Sequence, residues 1–370
     1  MIALVGDSRY ISDFFAQLRS QMQRVSEQVK VLPYREVLPP ATLRTSEDGA
    51  MDIAQYAIFR RRLECRDLEL TVDDLLERAD QEISDLAPHL VGCSAVVTFG
   101  CSGLRTRAAM FLAKNMGIPV VCLETACFPF IETTTALTAH YGIANYAVRN
   151  EGAFLSKWAS WDLHDPERIA KYREWWVANK ITKHSAVVVL DETLPESWLD
   201  VPPEDRVVAI GQIPYDAAMY WATSPRMLEK MKADIRLLED QGKTVYFKPH
   251  PKSLPAFDEP YYGDLYYHNQ LPENASIHAI LPDCSTVLVQ SSGVGVEAWM
   301  LGLDVITYGS PIYAAPGLTR TSVDDPAGWD WAMRMRFADF YMQEIHVNML
   351  DASRLVFKVR SLVSEAAGCS

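Results

Sequence analysis

Short apolar runs, rich in β-branched residues, alternate along the chain with amphipathic stretches. In the first part of the chain, such runs occupy residues 1–5, 29–34, 94–99 and 119–123. Between them, apolar positions recur every three or four residues, which predicts helices at 11–29, 72–86 and 105–116. Strands that alternate with helices across short loops form parallel sheets, so the pattern predicts an α/β fold.

A second set of strand-like runs follows at 186–193, 206–212, 244–251, 285–292 and 304–310, with a helix predicted at 224–241. The intervening region is rich in tryptophan and charged residues and has helical spacing without a strand. We therefore predict an N-terminal Rossmann-like domain at 1–150, a helical bridge at 151–185 and a C-terminal Rossmann-like domain at 186–328. Amphipathic C-terminal helices at 329–370 are expected to pack back across the junction.

The segment 287–321 carries the clearest candidate for a binding site. A strand leads into Ser291, Ser292 and Gly293, and helical spacing begins at Val294 and ends at a glycine. Hydroxyls and main-chain N–H groups at a helix N-terminus favour an anion such as a phosphate. Glu297, one turn into the helix, is placed to reach the ribose of a bound nucleotide. The alternative is a plain βαβ unit in which Ser291 is only an N-cap.

The motif KPHP, at 248–251, stands at the end of another predicted strand. Pro251 restricts the backbone of His250, so its imidazole is held in one direction and could donate to a phosphate or protonate a leaving group. Lys248 would add positive charge for a phosphate or a sugar carboxylate. The alternative is a histidine that only caps a loop.

Two carboxylates follow predicted strands and could act as a pair. Glu124 comes directly after the run VVCL, and Asp216 lies in the segment GQIPYDAAM at 211–219. Facing each other across a cleft, they would fit glycosyl transfer with retention, in which one attacks the anomeric carbon and the other is the acid/base. The alternatives are a charge at a helix N-terminus for Glu124 and a helix N-cap for Asp216.

Composition narrows the class of protein. The net charge is −13 without a long basic block, which argues against a nucleic-acid partner. The seven cysteines form no CxxC pair, so we expect reduced thiols in a cytoplasmic protein and neither a metal site nor disulfides. No apolar run reaches 18 residues, so no membrane span is expected. Aromatic clusters at 156–177 and 258–267 suit either sugar stacking or helix packing.

Taken together, these motifs resemble the capsule polysaccharide biosynthesis family of bacterial retaining β-Kdo transferases. The resemblance rests on the order Glu124, GQxxxD, KPHP, QSSGVGVEA and YGSPIYAAPGLT, and is firmest over 208–321. It implies a GT-B-like architecture, with two Rossmann-like domains whose parallel sheets face a central cleft. It also implies a CMP-Kdo donor, a covalent Kdo adduct on Asp216 and a phosphate site at His250, Pro251, Ser291 and Ser292.

The resemblance therefore predicts transfer of Kdo, or a similar ulosonic acid, from CMP to a saccharide or glycolipid acceptor, without a cofactor. It leaves open a peripheral association with a polysaccharide assembly complex. The family motif EDGF reads Glu-Thr-Ala-Cys-Phe from Glu124. This departure keeps two alternatives open: a GT-B transferase with another nucleotide-sugar donor, and a non-catalytic polysaccharide-binding or assembly protein.

Overall fold

A computed structural model describes most of the chain. The described residues are 1–6, 15–16, 19–20, 22–23, 28–32, 72–100, 104–125, 137–141, 158–180, 194–214, 223–251, 255–315, 317–347 and 352–368. The predicted strand at 186–193 and the candidate Asp216 lie outside them.

The described strands belong to two sheets. In chain order they are β1 (Ile2–Val5), β2 (Val29–Leu32), β3 (Ala95–Phe99), β4 (Val120–Thr125), β5 (Leu137–Tyr141), β6 (Arg206–Ile210), β7 (Thr244–Lys248), β8 (Thr286–Val289), β9 (Asp304–Thr307) and β10 (His346–Val347).

The described helices follow most of the amphipathic stretches. They are α1 (Val72–Leu90), α2 (Leu104–Asn115), α3 (Pro166–Ala178), α4 (Glu196–Leu199), α5 (Pro225–Asp240), α6 (Pro255–Tyr262), α7 (Ile277–Ile280), α8 (Val294–Leu301), α9 (Trp331–Phe340) and α10 (Ala352–Gly368). Single 3-10 turns occur at Pro203–Asp205, Gly263–Tyr267 and Leu281–Asp283, and a π turn at Tyr341–Ile345.

The chain divides into two compact units. The first contains Met1–Ala126, Thr135–Ala144 and Ile345–Ser370, and the second contains Cys127–Thr134 and Asn145–Glu344. The predicted bridge at 151–185 therefore lies within the second unit. The predicted C-terminal segment is divided between the two, with α9 in the second unit and α10 in the first.

The first unit is built on a six-stranded sheet in the order β10-β5-β4-β3-β1-β2. Strands β2, β1, β3 and β4 are parallel. One face packs Val5 and Val96 against Leu86 and Leu112, while the other packs Leu4 and its neighbours against α10. Burial of both faces explains why these strands are continuous apolar runs instead of alternating ones.

The sheet of this unit differs from the sequence prediction at one side. Strands β5 and β10 were not predicted, and both run antiparallel to their neighbours, with β10 at the edge. The C-terminal helices predicted at 329–370 are α9 and α10. Between them the chain returns to the sheet edge at β10, where its backbone pairs with β5, before α10 covers the sheet face.

The second unit is built on a wholly parallel sheet in the order β7-β6-β8-β9. Its strands are buried along almost their whole length. Helix α5 covers one face through Leu228, Met231, Ile235 and Leu238. The predicted α/β class, with two Rossmann-like units, is confirmed.

Helices α3 and α9 pack together in the second unit. Trp158 meets Phe337 edge-on, with ring centroids 5.2 Å apart. Asp339, which is fully buried, accepts hydrogen bonds from Trp161 Nε1 at 3.1 Å and the Arg168 guanidinium at 2.8 Å. The tryptophan-rich cluster at 156–177 thus contributes to helix packing, one of the two roles expected for it.

Arg334 of α9 fixes the end of α8. Its guanidinium donates to the carbonyl of Leu303 at 2.9 Å and to that of Leu318 at 3.0 Å. It also stacks on Trp329, 3.8 Å from the ring centroid. Burial lowers the pKa of Arg334 to about 9, which still leaves it charged at neutral pH. Helix α8 is thus held at its C-terminus by a cation, the charge that its dipole favours there.

No helix in the described ranges is both long and apolar enough to cross a membrane.

Gly302 ends α8 in the left-handed conformation, as predicted, with φ of 84°. Gly302→Ala is expected to lower the free energy of unfolding by about 1–2 kcal/mol, because a Cβ is unfavourable at this φ. Gly302→Asn should lose less, since asparagine enters this region more readily. Urea denaturation measures both losses. Equal losses for the two variants would contradict the explanation.

Candidate functional site

The candidate site lies where the strands of the second sheet end. The chain passes from β6 outward to β7 and then crosses back to β8 on the other side of β6. The loops after β6 and β8 therefore leave the sheet in opposite directions, which opens a crevice at the carboxyl ends of these two strands. Ligands of open α/β sheets bind at such a switch point. The topology thus directs attention to the residues that follow β6, β8 and the adjacent β7.

Ser291, Ser292 and Gly293 follow β8 and begin α8. Ser291 is half-buried, whereas Ser292 is 5% exposed. Ser292 Oγ accepts a hydrogen bond from Val294 N at 3.3 Å, and Gly293 occupies the N-cap position. The alternative interpretation made Ser291 the N-cap, but that position belongs to Gly293, which provides no side-chain cap. A hydroxyl that accepts from the backbone can still donate its own hydrogen to an anion.

Glu297 lies in the first turn of α8 and is 6% exposed. The serines and this glutamate thus share one helix end, as the sequence predicts. Its proposed contact with a ribose remains a prediction.

The loop after β9 packs against the serine loop, which consists of Ser291, Ser292 and Gly293. Tyr313, which is 2% exposed, donates its hydroxyl hydrogen to the carbonyl of Ser292. Its ring lies so close to Gly295 that a Cβ on that residue would come within 2.7 Å of ring carbons. A glycine at position 295 is therefore required for this contact. Tyr313 thus packs the loop after β9 against Ser292 and Gly295.

At the end of β7, Lys248 and His250 have different environments. Lys248 is 4% exposed, and its ammonium donates to the carbonyls of Pro249 at 2.9 Å and Glu273 at 2.6 Å. These contacts tie the strand end to the turn at 272–275, so Lys248 supports the loop in this structure. His250 is half-buried, and Pro251 is exposed.

At the end of β6, Gly211 lies tightly against β7. Its N–H donates to the carbonyl of Lys248 at 2.8 Å, and a Cβ would lie 2.9 Å from Phe247 Cζ. Next to it, Gln212 N donates to the hydroxyl of Tyr262 at 2.6 Å. The loop that leads to Asp216 therefore starts from a fixed position, while Asp216 itself lies outside the described residues.

Glu124 lies within β4, whose last residue is Thr125, and its backbone pairs with that of Thr138 in β5. The sequence prediction ended this strand at Leu123. The strand extends further because β5 provides a partner along its edge. The side chain of Glu124 lies outside the described part of the chain.

The structure brings His250, Ser291 and Ser292 to the same edge of one sheet, with the start of the Asp216 loop between them. Strands β7 and β8 flank β6, so their ends are separated by about 10 Å, twice the spacing of neighbouring strands. A nucleotide phosphate between them could meet donors from both loops.

Comparison with known proteins tests the predicted resemblance. The sequence profile of the capsule polysaccharide biosynthesis protein family matches residues 222–345. The predicted family resemblance is confirmed. The matched third of the chain includes β7, β8 and β9, and therefore His250 and the serine loop. No protein of curated function matches the chain in sequence.

One solved structure shows the same fold, and two others are similar to a lesser degree. The β-Kdo 2,4 transferase KpsC of Thermosulfurimonas dismutans is similar over 68% of this chain and 80% of its own, with 21% identity and a TM-score of 0.51. The β-Kdo 2,7 transferase KpsC of that organism is similar over 76% of this chain and 89% of its own, with 18% identity and a TM-score of 0.48. The UDP-GlcNAc 2-epimerase of Neisseria meningitidis is similar over 93% of this chain and 91% of its own, with 14% identity and a TM-score of 0.33.

Sequence reasoning missed several residues that fix the loops at the carboxyl ends of the strands in the second sheet. Gln290, Tyr261, Tyr262 and Tyr313 are tied to the strand ends by hydrogen bonds. The sequence signals were the aromatic cluster at 258–267 for the first two tyrosines and the two family motifs for Gln290 and Tyr313, but their contacts could not be assigned without the fold.

Gly295→Ala should displace Tyr313 or the serine loop, because the new methyl group would overlap the tyrosine ring. We expect a loss of about 1–3 kcal/mol in the free energy of unfolding, typical of an overpacked core. Val294→Ala, in the same helical turn, is the control and should cost less. Thermal and urea unfolding measure both losses. Full stability of Gly295→Ala would contradict the close packing of Tyr313 on this loop.

Proposed function

We propose that the protein is a glycosyltransferase that moves Kdo, or a Kdo-like ulosonic acid, from a CMP donor to a saccharide or glycolipid acceptor in capsule polysaccharide synthesis. The main support is that the segment matching the capsule family contains the loops after β7 and β8, which lie beside the switch point of the second sheet. A nucleotide site at this place agrees with the general behaviour of such sheets.

In this proposal the loops after β7 and β8 bind the phosphate of CMP. His250, Ser291 and Ser292 supply hydrogen-bond donors, and Gly293 allows the phosphate to approach the backbone at the start of α8. These donors neutralise the charge that develops on the departing CMP, which lowers the barrier to its release. Glu297 binds the ribose. Lys248 acts through the loop that it supports and is assigned no contact with the phosphate.

The chemical step uses the two carboxylates. Asp216 attacks the anomeric carbon of the donor, a carbon–oxygen bond forms, and the bond to CMP breaks with its electron pair leaving on the phosphate. The acceptor hydroxyl then attacks the same carbon, its proton passes to Glu124, and Asp216 is released. Two displacements give retention of configuration. The donor itself supplies the activated sugar, so the proposal needs no cofactor and no metal ion.

We also propose that the protein is cytoplasmic. This location allows a peripheral contact with a polysaccharide assembly complex. Cys93 and Cys284 are free and buried, which suits a reducing compartment. Burial raises the pKa of the Cys284 thiol to about 12, so this residue remains a neutral apolar side chain.

Transfer from freshly generated CMP-Kdo tests the proposal. We expect His250→Ala to lower kcat/KM by about 10²–10³-fold, as for loss of a donor to developing charge. His268→Ala is the matched control, because His268 pairs with Glu239 and belongs to no predicted site. Its activity should remain unchanged. Full activity of His250→Ala would overturn the assignment of this residue.

Thermal shifts with nucleotides test the donor separately. A ligand at a hundred times its Kd stabilises the folded state by about 2.7 kcal/mol, so CMP should raise Tm measurably. If UDP raises the Tm of the protein and CMP does not, the donor in the proposal would be a UDP-sugar. Stabilisation by neither, together with no transfer, would favour a polysaccharide-binding or assembly protein.

A further inference from the structure

Helix α6 follows the loop that carries His250 and ends with two adjacent tyrosines. Tyr262 is 1% exposed, and its ring packs against Phe247 of β7 with centroids 5.0 Å apart. Its hydroxyl accepts a hydrogen bond from Gln212 N at 2.6 Å and donates to Gln212 O at 2.7 Å. One phenol therefore satisfies both main-chain polar groups of the second residue after β6.

Tyr261 reaches the strand on the other side of the crevice. Its hydroxyl accepts a hydrogen bond from Nε2 of Gln290 at 3.0 Å. Gln290 is fully buried and directly precedes Ser291. The same Nε2 lies 3.4 Å from Oγ1 of Thr223, which donates to the carbonyl of Tyr308 at 3.1 Å. The start of the serine loop is thus tied to α6 and to the end of β9.

We propose that Tyr261 and Tyr262 are positioning residues of the transfer site. Together they fix the loop that leads to Asp216 and the loop that binds the donor phosphate relative to one helix. This inference rests on the proposed function, but neither hydroxyl is assigned a contact with the substrate. Each acts through another residue, Tyr262 through Gln212 and Tyr261 through Gln290.

The physical case for Tyr262 is the cost of leaving partly buried main-chain groups without their partner. Without the hydroxyl of Tyr262, the N–H and the carbonyl of Gln212 would lose their partner next to Gly211, which cannot move away because it lies against Phe247 and Lys248. Burial raises the pKa of Tyr262 well above its ordinary value, so the hydroxyl stays protonated and can donate at neutral pH.

Gln290 gives a second reason. Its Oε1 is buried and accepts no hydrogen bond among the described residues, so Nε2 provides the polar contacts that hold this side chain. Loss of the Tyr261 hydroxyl would leave the amide with only the longer contact to Thr223. The start of the serine loop would then lose its attachment to α6 and could shift.

The two tyrosines should have different kinetic effects. Asp216 lies four residues beyond Gln212 and performs the chemistry, so Tyr262→Phe should lower kcat by about tenfold or more with a smaller change in donor KM. The serine loop binds the donor, so Tyr261→Phe should raise donor KM and the Kd for CMP by about tenfold with a smaller change in kcat.

Tyr246→Phe is the matched control. Tyr246 is also buried, and its hydroxyl donates to a main-chain carbonyl, that of Ser197, at 2.6 Å. Ser197 precedes β6, so this bond lies away from the loops that follow the strands. The control should lose stability comparably while kcat and donor KM remain those of the unchanged protein. Equal kinetic effects of all three variants would overturn the positioning role.

Hydrogen exchange separates this inference from the proposed function. The amide of Gln212 should exchange at least tenfold faster in Tyr262→Phe than in the unchanged protein, and should be unaffected in Tyr246→Phe. If the amide of Gln212 exchanges faster in Tyr262→Phe but the unchanged protein transfers no sugar from CMP-Kdo, the attachment of the loop by Tyr262 would stand. The proposed donor would then be wrong. Unchanged exchange at Gln212 in Tyr262→Phe would overturn the inference itself.

Discussion

The candidate site depends on the parallel pairing of β6 with β7 on one side and β8 on the other. The register sets Val207 opposite Val245 and Thr286, and it continues to the strand ends. Parallel strands end at one edge of the sheet, so residues separated by up to about eighty positions in the chain meet there. Reversal of the strand order at β6 then opens the crevice between the loops. Every assignment of a phosphate donor follows from this pairing.

Buried polar contacts convert this topology into a fixed arrangement of loops. Lys248 holds the end of β7 to the turn at 272–275, Tyr262 holds the start of the Asp216 loop, and Tyr313 holds the serine loop. These groups would be costly to bury without partners, and each partner is a main-chain atom of a loop at the site. The stability of the unit and the geometry of the site therefore rest on the same hydrogen bonds.

The sequence predicted the fold class and most elements because both sheets have buried faces, which leave apolar runs at the strands. It also located the start of α8 at Val294 and its end at Gly302, where residue type and conformation agree. It missed β5 and β10, since short antiparallel strands such as LTAHY and HV leave little apolar signal.

At the site, the sequence pointed to His250 and the serine loop from motif order alone. It assigned a phosphate contact to Lys248 but did not predict that its ammonium donates to two main-chain carbonyls. The tyrosines at 261, 262 and 313 act through contacts between distant segments. Local patterns contain no information on such contacts.

The central claim is retaining transfer through Asp216, and intact-protein mass spectrometry tests it most directly. Glu124→Gln, incubated with freshly generated CMP-Kdo, should accumulate a covalent adduct because no base remains to activate the acceptor. The account predicts a mass increase of one Kdo residue, absent when Asp216→Ala is added. An unmodified protein that still binds CMP would contradict it.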